Sequence, residues 1–449
     1  MGVVRAAGAQ AAARLTARAC RIAGRGATSL PGKVLLRLDP AAIGDLARRL
    51  PDGSIVISAT NGKTTTAAMT AAILEADGRS AVHNRSGANM AGGIATTLLD
   101  ARGDIGLLEV DEFWLDGVAA ALKPRVTVLG NLFRDQLDRY GELEAIAQRW
   151  RVLAQSTVGQ LVLNADDPAI AALGRGASSP IYFGVDDSRI GLDAAPHASD
   201  ATHCGTCGTP FVYERRYLGH LGIYRCDVCA TRRPAPSVVA QEVQLDGVSG
   251  SRFELVIDRT ASIVELPLPG LYNVYNALGA AAAAHALGIS MSTIVVGLEA
   301  VRPAFGRGES VAIAGRALKI LLVKNPAGAN EVLRTLSLEG GPLDLLAVLN
   351  DQIADGRDVS WIWDADFEGL APTIGHATCA GTRAAEMALR LKYAGVAPSR
   401  ITVCEDLPAA LGAALDAGMG PLYAMPTYTA MLELRRELVR RGAAGDSFA

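Results

Sequence analysis

Ser54-Ile-Val-Ile-Ser58, followed by Ala59-Thr-Asn-Gly-Lys-Thr-Thr-Thr66 and a helical run from Ala67 to Ala76, decides the fold of this chain. A short apolar β-branched run enters a glycine-containing loop, and the loop opens directly into a helix. Phosphate groups need this arrangement: backbone N–H groups at a helix N-terminus, a lysine reaching the β and γ oxygens, and a hydroxyl for Mg²⁺. Lys63 and Thr64 fit the last two roles, and Gly62 lets a phosphate approach the backbone closely. A full Walker A pattern would place glycine at position 57, where this chain has Ile57, so the loop is a variant. An ordinary strand-to-helix turn is the competing reading, and the flanking strand and helix weigh against it.

Outward from the loop, Leu107–Val110, Val126–Leu129 and Gln160–Leu163 read as further strands with helical stretches between them. That alternation points to a doubly wound parallel sheet, and hence to an α/β fold. Regularity fades over Ser178–Asp200 and resumes from Val238, with strands expected at Phe253–Ile257 and Ser262–Leu266 and a long helix from Asn273. A boundary is expected within Pro303–Gly315. Beyond it Leu318–Val323, Leu343–Leu349 and Ile401–Cys404 suggest a second α/β domain. The division expected is a basic arm over 1–40, an ATP-binding central domain over 41–310, and a C-terminal domain over 311–449.

The bulk properties agree with several packed α/β layers. The 449 residues are 50% hydrophobic, 20% charged and only 5% aromatic. A net charge of −3 gives no global attraction to nucleic acid. No apolar run is long enough to span a bilayer. The first 37 residues stand apart: Arg5, Arg14, Arg18, Arg21, Arg25, Lys33 and Arg37 alternate with Ala and Leu, and no acid precedes Asp39. A helix packed on the body, an amphipathic helix on an anionic membrane face and a mitochondrial presequence all share this pattern. The cytoplasm is the default compartment.

Cys204-Gly-Thr-Cys207 and Cys226-Asp-Val-Cys229 form two CxxC pairs separated by eighteen residues. In a reducing compartment this pattern favours metal over disulfide. Two such knuckles close a tetrahedral Zn²⁺ shell with no open position, so Cys204, Cys207, Cys226 and Cys229 are expected to hold a structural zinc in an insert over about 200–234. A redox CxxC lacks its βαβ context here. Cys379 and Cys404 fall in apolar, strand-like settings, as buried thiols do.

Asn350-Asp-Gln-Ile-Ala-Asp-Gly-Arg-Asp-Val-Ser-Trp-Ile-Trp-Asp364 carries four acids, an arginine and two tryptophans. A charged βα loop with Trp anchors is the plain reading, and a recognition loop the sharper one.

The segment Thr60, Asn61, Gly62, Lys63, Thr64, Thr65 resembles the ATP loop of the Mur ligases and folylpolyglutamate synthetases, with Ala59 where that family has glycine. Further resemblances follow in family order. Glu109 matches the magnesium-binding glutamate, Asn164-Ala-Asp-Asp-Pro168 a recurrent segment, Asn273 and Asn276 the nucleotide-facing asparagines, and Arg307 the arginine of a Gly-Arg-x-Glu signature. Two departures are clear. Gln136 occupies the place of a metal-binding histidine, and no lysine lies between Arg125 and Thr157 to be carbamylated.

The cysteine insert and the Asp-Gly-Arg-Asp-x-Ser-Trp segment resemble the MurT family within the Mur ligases. The resemblance implies a Mur ligase-type central domain interrupted by a four-cysteine zinc ribbon, followed by a Rossmann-like C-terminal domain. It implies ATP, Mg²⁺ bound by Thr64 and Glu109, and structural Zn²⁺. The implied reaction is ATP-dependent amidation of the D-glutamate α-carboxylate in the lipid II stem peptide. Ammonia would come from a GatD-type glutamine amidotransferase subunit, whose Cys-His pair Asp358 would complete, and the lipid-linked substrate would lie at the inner face of the plasma membrane. No glutaminase nucleophile motif occurs in this chain. A stand-alone amino-acid ligase of the same fold is the alternative. A non-catalytic scaffold using Arg215, Arg216, Arg225, Arg232 and Arg233 of the insert is a third reading, and the Lys63–Thr64 pair argues against it.

Overall fold

The computed structural model describes residues 2–24, 26–84, 87–134, 143–192, 199–302 and 306–444, without the side chains of residues 2–5 and 307. Gln136 and the side chain of Arg307 lie outside the described residues.

Two large sheets organise these residues. The first has nine strands: β1 (Ser54–Ser58), β2 (Ala81–His83), β3 (Ile105–Glu109), β4 (Val126–Leu129), β5 (Gln160–Asn164), β6 (Ile181–Val185), β9 (Val238–Leu245), β10 (Ser251–Ile257) and β11 (Thr260–Leu266). Their order is β11-β10-β9-β6-β5-β4-β1-β3-β2. The run from β2 to β9 is parallel, and β10 and β11 add an antiparallel edge. From β1 the chain first builds β3 and β2 on one side, then returns to build β4 to β6 on the other. The carboxyl end of β1 is therefore the place where strand order reverses, the position where open α/β sheets bind ligands.

Both faces of this sheet are covered, which is why β1 reads as an uninterrupted apolar run. Ile55 and Ile57 face a core shared with the helices Lys63–Ala76, Leu271–Ala286 and Met291–Glu299. Val56 faces the other way, into a core built by the helices Leu30–Leu38, Ala91–Leu99, Leu115–Leu122 and Leu143–Ser156.

Of the three readings of the basic arm, the structure shows the packed helix. Gly2–Ile22 buries Ala9, Ala13 and Ala17, spaced four apart on one face, and Arg14 Nε donates to Asp100 Oδ1 at 2.8 Å. Among the described residues no helix is long and apolar enough to cross a membrane.

The cysteine insert is a separate antiparallel hairpin, β7 (Val212–Leu218) and β8 (Leu221–Arg225), between β6 and β9. The six-stranded second sheet holds β12 (Arg307–Ile313), β13 (Arg316–Leu321), β14 (Leu343–Val348), β15 (Ile374–Ala380), β16 (Ile401–Val403) and β17 (Leu422–Pro426), in the order β12-β13-β17-β14-β15-β16. Only the β12–β13 pair is antiparallel.

The nine strands expected from the sequence lie within two residues of their observed positions, whereas β2, β7, β8, β12, β15 and β17 were not expected and β6 falls inside the stretch where regularity fades in the sequence. Four of its five residues, Ile181, Tyr182, Phe183 and Val185, are strong strand formers, but the run is short and broken by Gly184 between Ser178-Ser-Pro180 and Asp186-Asp-Ser188, and pairing with β5 and β9 fixes it. Cys379 is fully buried, whereas Cys404 lies just past β16 and is half-buried, because that strand is the sheet's edge.

Candidate active site

The helix Lys63–Ala76 begins immediately beyond the switch point, with Gly62 at its N-cap and φ +88°. Asn131 clamps the loop that precedes it. Its side chain accepts from Asn61 N at 2.9 Å and donates to Asn61 O at 3.0 Å. Thr60 is buried, and its hydroxyl accepts from Phe133 N at 3.1 Å. These bonds fix the loop before any ligand arrives.

Lys63 and Thr64 face two acids of the β3 end. Thr64 Oγ1 donates to Glu109 Oε2 at 2.9 Å. Lys63 Nζ lies 3.0 Å from Glu112 Oε2 and also donates to Ala59 O. Glu109 is only 1% exposed, and its Oε1 has no hydrogen-bond partner although His83 Nε2 stands 3.4 Å away. A buried carboxylate oxygen beside a hydroxyl, lacking a donor, is the environment a hard divalent cation satisfies. Thr64 and Glu109 thus fit Mg²⁺.

The helix Leu271–Ala286 supplies the opposite wall. Asn276 Nδ2 donates to Asn273 Oδ1 at 3.0 Å, Asn273 Nδ2 donates to Pro269 O at 2.7 Å, and Thr66 Oγ1 donates to Asn276 Oδ1 at 3.3 Å. Asn273 is thereby a helix-start clamp for Asn276, while Asn276 itself abuts Gly62.

The second sheet reaches the same loop. Lys324 Nζ donates to Thr60 O at 3.0 Å, and Asn325 Nδ2 donates to Asn61 Oδ1 at 3.0 Å. Asn325 also caps the helix Pro326–Ser337 by accepting from Gly328 N at 2.8 Å. Between the two sheets and the hairpin lies a cavity of about 110 Å³, walled by Asn61, Gly62, Phe133, Leu218, Leu221 and Glu331 among others. Glu112, Asn131 and Asn325 went unassigned in the sequence. Each touches Lys63 or Asn61 only through the fold, although Glu112 stands three residues after Glu109.

Two aspartates of the Asn164–Pro168 segment tie the hairpin to this site. Asp166 accepts from Arg233 Nε at 2.6 Å and from Tyr275 OH at 2.6 Å. Burial holds its carboxyl above the usual range, against the pull of the Arg233 guanidinium. Asp167 accepts from Leu132 N at 2.9 Å and caps the helix Pro168–Ala171. Arg233 is thus internal, Arg216 lies over the Tyr213 ring at 4.0 Å, and Arg225 pairs with Asp227. These arginines do not form a free basic face.

The four cysteines converge. Cys204 and Cys229 sulfurs are 3.6 Å apart, Cys207 and Cys226 3.4 Å, and Cys207 and Cys229 3.8 Å. A tetrahedral shell with Zn–S near 2.3 Å requires separations of about 3.8 Å, so the donor set fits zinc. Burial opposes ionisation of Cys204. Hydrogen bonds from the Thr206 amide, the Thr231 hydroxyl and the Cys207 amide outweigh it and bring the thiol down to about 6, toward the thiolate a metal needs.

Asp358 lies elsewhere, exposed on the loop between β14 and β15. Its Oδ1 accepts from Ser360 N at 2.8 Å, and hydrogen bonds from Ser360 hold its carboxyl below the usual range. Asp355, three residues away, is buried and accepts from Thr429 N at 2.7 Å. Of the two acids, only Asp358 is presented outward.

The chain is 36% identical over 429 residues to the lipid II isoglutaminyl synthase (glutamine-hydrolyzing) subunit MurT of Streptococcus pneumoniae, covering 93% of both chains. It is 32% identical to the MurT subunit of Staphylococcus aureus, covering 97% of this chain and 98% of that one. The chain belongs to the MurT family. Residues 57–207 match the Mur ligase middle domain and residues 322–431 the MurT ligase C-terminal domain. The MurT fold is that of the wider Mur ligases: a MurF from Acinetobacter baumannii superposes with a TM-score of 0.68 at 20% identity, covering 91% of this chain and 81% of that one. A folylpolyglutamate synthase from Mycobacterium tuberculosis, complexed with ADP, gives a TM-score of 0.61 at 17% identity, covering 90% and 92%.

Proposed function

We propose that this chain is the ATP-using subunit of a glutamine-dependent amidating enzyme. It converts the D-glutamate α-carboxylate of the lipid II stem peptide to D-isoglutamine. The observation that carries the reading is the cluster at the carboxyl end of β1. There Lys63, the Thr64 hydroxyl and the buried, donor-less oxygen of Glu109 meet at a helix N-terminus. The near full-length similarity to MurT subunits supports the substrate and the dependence on a second subunit.

In this reading the amides at the start of Lys63–Ala76 and the Lys63 ammonium hold the β- and γ-phosphates of ATP. Nucleotide entry draws Lys63 away from Glu112. Mg²⁺ held by Thr64 and Glu109 supplies charge neutralisation for the phosphoryl oxygens. An oxygen of the substrate carboxylate takes the γ-phosphoryl group, giving an acyl phosphate and ADP. Ammonia then attacks the acyl carbon and loses a proton, and phosphate leaves with the C–O electron pair. The contribution of Lys63 is electrostatic and aimed at charge that develops during transfer. Ammonia comes from glutamine hydrolysed on a GatD-type partner, whose catalytic histidine Asp358 orients.

The test is reconstitution of the full chain with such a glutaminase, lipid II, ATP and either glutamine or ammonium. D-isoglutamine-containing product is expected from both nitrogen sources, and Lys63→Ala is expected to abolish both while leaving the fold intact. Incorporation of an amino acid in place of ammonia would instead identify a stand-alone ligase. Near-normal turnover by Lys63→Ala would place the chemistry elsewhere.

A further inference from the structure

Glu331 sits in the second turn of the helix Pro326–Ser337, whose first turn is pinned to the phosphate loop through Asn325. The residue is 5% exposed and its Oε2 has no hydrogen-bond partner. A lone carboxyl oxygen is costly in such a place. It lines the cavity that begins at Gly62 and Thr65, where the phosphates would lie, and whose other walls are largely apolar: Phe133, Leu218, Leu221, Leu321 and Val332. The glutamate also borders a second cavity on the far side of its helix, shared with Arg334 and Asp366.

We propose that Glu331 reads the nucleotide base, hydrogen-bonding as a neutral carboxylic acid to the amino edge of adenine within this cavity. The proposal rests on the assignment of Thr60–Thr65 as the ATP loop. An apolar slot adjoining a phosphate cradle suits a flat heteroaromatic ring. Adenine presents its N6 amino donor beside a ring-nitrogen acceptor on either of its edges. A protonated carboxyl offers the complement, a carbonyl acceptor beside an O–H donor. A carboxylate could only accept, and it would face the ring nitrogen lone pair.

The surroundings favour the protonated form. Burial pushes the Glu331 carboxyl up to about 7, opposed by the Arg334 guanidinium. That guanidinium is turned toward the hairpin, donating to Tyr217 O at 2.8 Å and Ile190 O at 2.7 Å. The other ionisable groups around the cavity are Lys324, which donates to Thr60 O, and Tyr272 and Tyr275 of the asparagine-bearing helix. Tyr275 is committed to Asp166. Asp366, across the helix, accepts from Asn330 Nδ2 at 3.0 Å. The hairpin contributes only Leu218 and Leu221 to the lining.

The experiment measures binding of Mg²⁺–ATP and of purine riboside triphosphate, which lacks the N6 amino group, to the full chain. Wild type should prefer ATP by about tenfold, the value of one buried hydrogen bond. Glu331→Leu should lose that preference, and Glu331→Gln, which keeps an acceptor beside a donor, should retain it. Raising the pH through 7 should weaken ATP binding by wild type more than by Glu331→Gln. Undiminished base preference in Glu331→Leu overturns the proposal. Failure of wild type to bind either nucleotide, or equal ATP binding by Lys63→Ala, overturns the ATP-loop assignment instead.

Discussion

A β-carbon placed on Gly62 would stand 2.0 Å from Oδ1 of Asn276, and the two residues are 214 positions apart in the chain. The phosphate loop and the asparagine-bearing helix are therefore in contact through a glycine that has no side chain to spare. Gly62 also adopts φ +88°, which a side chain would strain. Gly62→Ala should reduce ATP turnover by at least about 10²-fold through both effects, for displacement of about 1 Å near the chemistry is enough. Adding Asn276→Ala should relieve the contact but not the backbone strain, so the double variant should remain impaired. Steady-state ATPase and amidation rates distinguish these cases.

The zinc reading predicts about one zinc per chain by metal analysis. Cys204→Ser or Cys226→Ser should lower the thermal midpoint, since metal affinity in such ribbons is folding free energy. The loss should extend beyond the hairpin, because Arg233 and Asp166 connect it to Tyr275 beside the cavity. Fully active protein free of zinc would end this reading.

Asp358 and Asp355 separate cleanly in their expected phenotypes. Asp358→Asn should cut glutamine-dependent amidation by orders of magnitude, about 10⁴-fold by analogy with the orienting aspartate of proteases, and spare amidation driven by free ammonium. Asp355→Asn keeps an oxygen for Thr429 N but replaces the one that accepts from the Thr429 hydroxyl and Gln352 N with an amide donor, and should lower stability by about 1–3 kcal/mol, reducing both activities together. Equal loss of both activities in Asp358→Asn would assign that residue to the synthetase site or to folding.

Glu331 gives the stability a pH dependence that denaturant titration can follow. Its carboxyl titrates near 4.5 in the unfolded chain and is raised to about 7 in the folded one, so the unfolded chain ionises first as pH rises. Stability from this group is full below pH 4.5 and is lost progressively as pH rises through 7. Glu331→Gln has no such loss. It should match wild type near pH 4 and exceed it near pH 8, by up to roughly 3 kcal/mol. A difference independent of pH would show that the carboxyl is not buried as described.

The sequence by itself determined the elements that rest on local chemistry. The apolar run Ser54–Ser58, the glycine before Lys63 and the CxxC spacing specify a strand, a loop and a pair of knuckles whatever surrounds them, and all three appear in the structure. The Lys63–Thr64 pair was legible for the same reason, since a phosphate cradle is made of consecutive residues. Tertiary structure alone decided the rest. Only pairing across the sheet puts Glu109 and Glu112 opposite Thr64 and Lys63, and only packing of the second sheet brings Lys324 and Asn325 to Thr60 and Asn61, 264 residues away. Burial, not residue type, distinguishes Asp355 from Asp358 and leaves oxygens of Glu109 and Glu331 without donors. Desolvation depends on everything that surrounds a group at once, and no window of sequence contains that information.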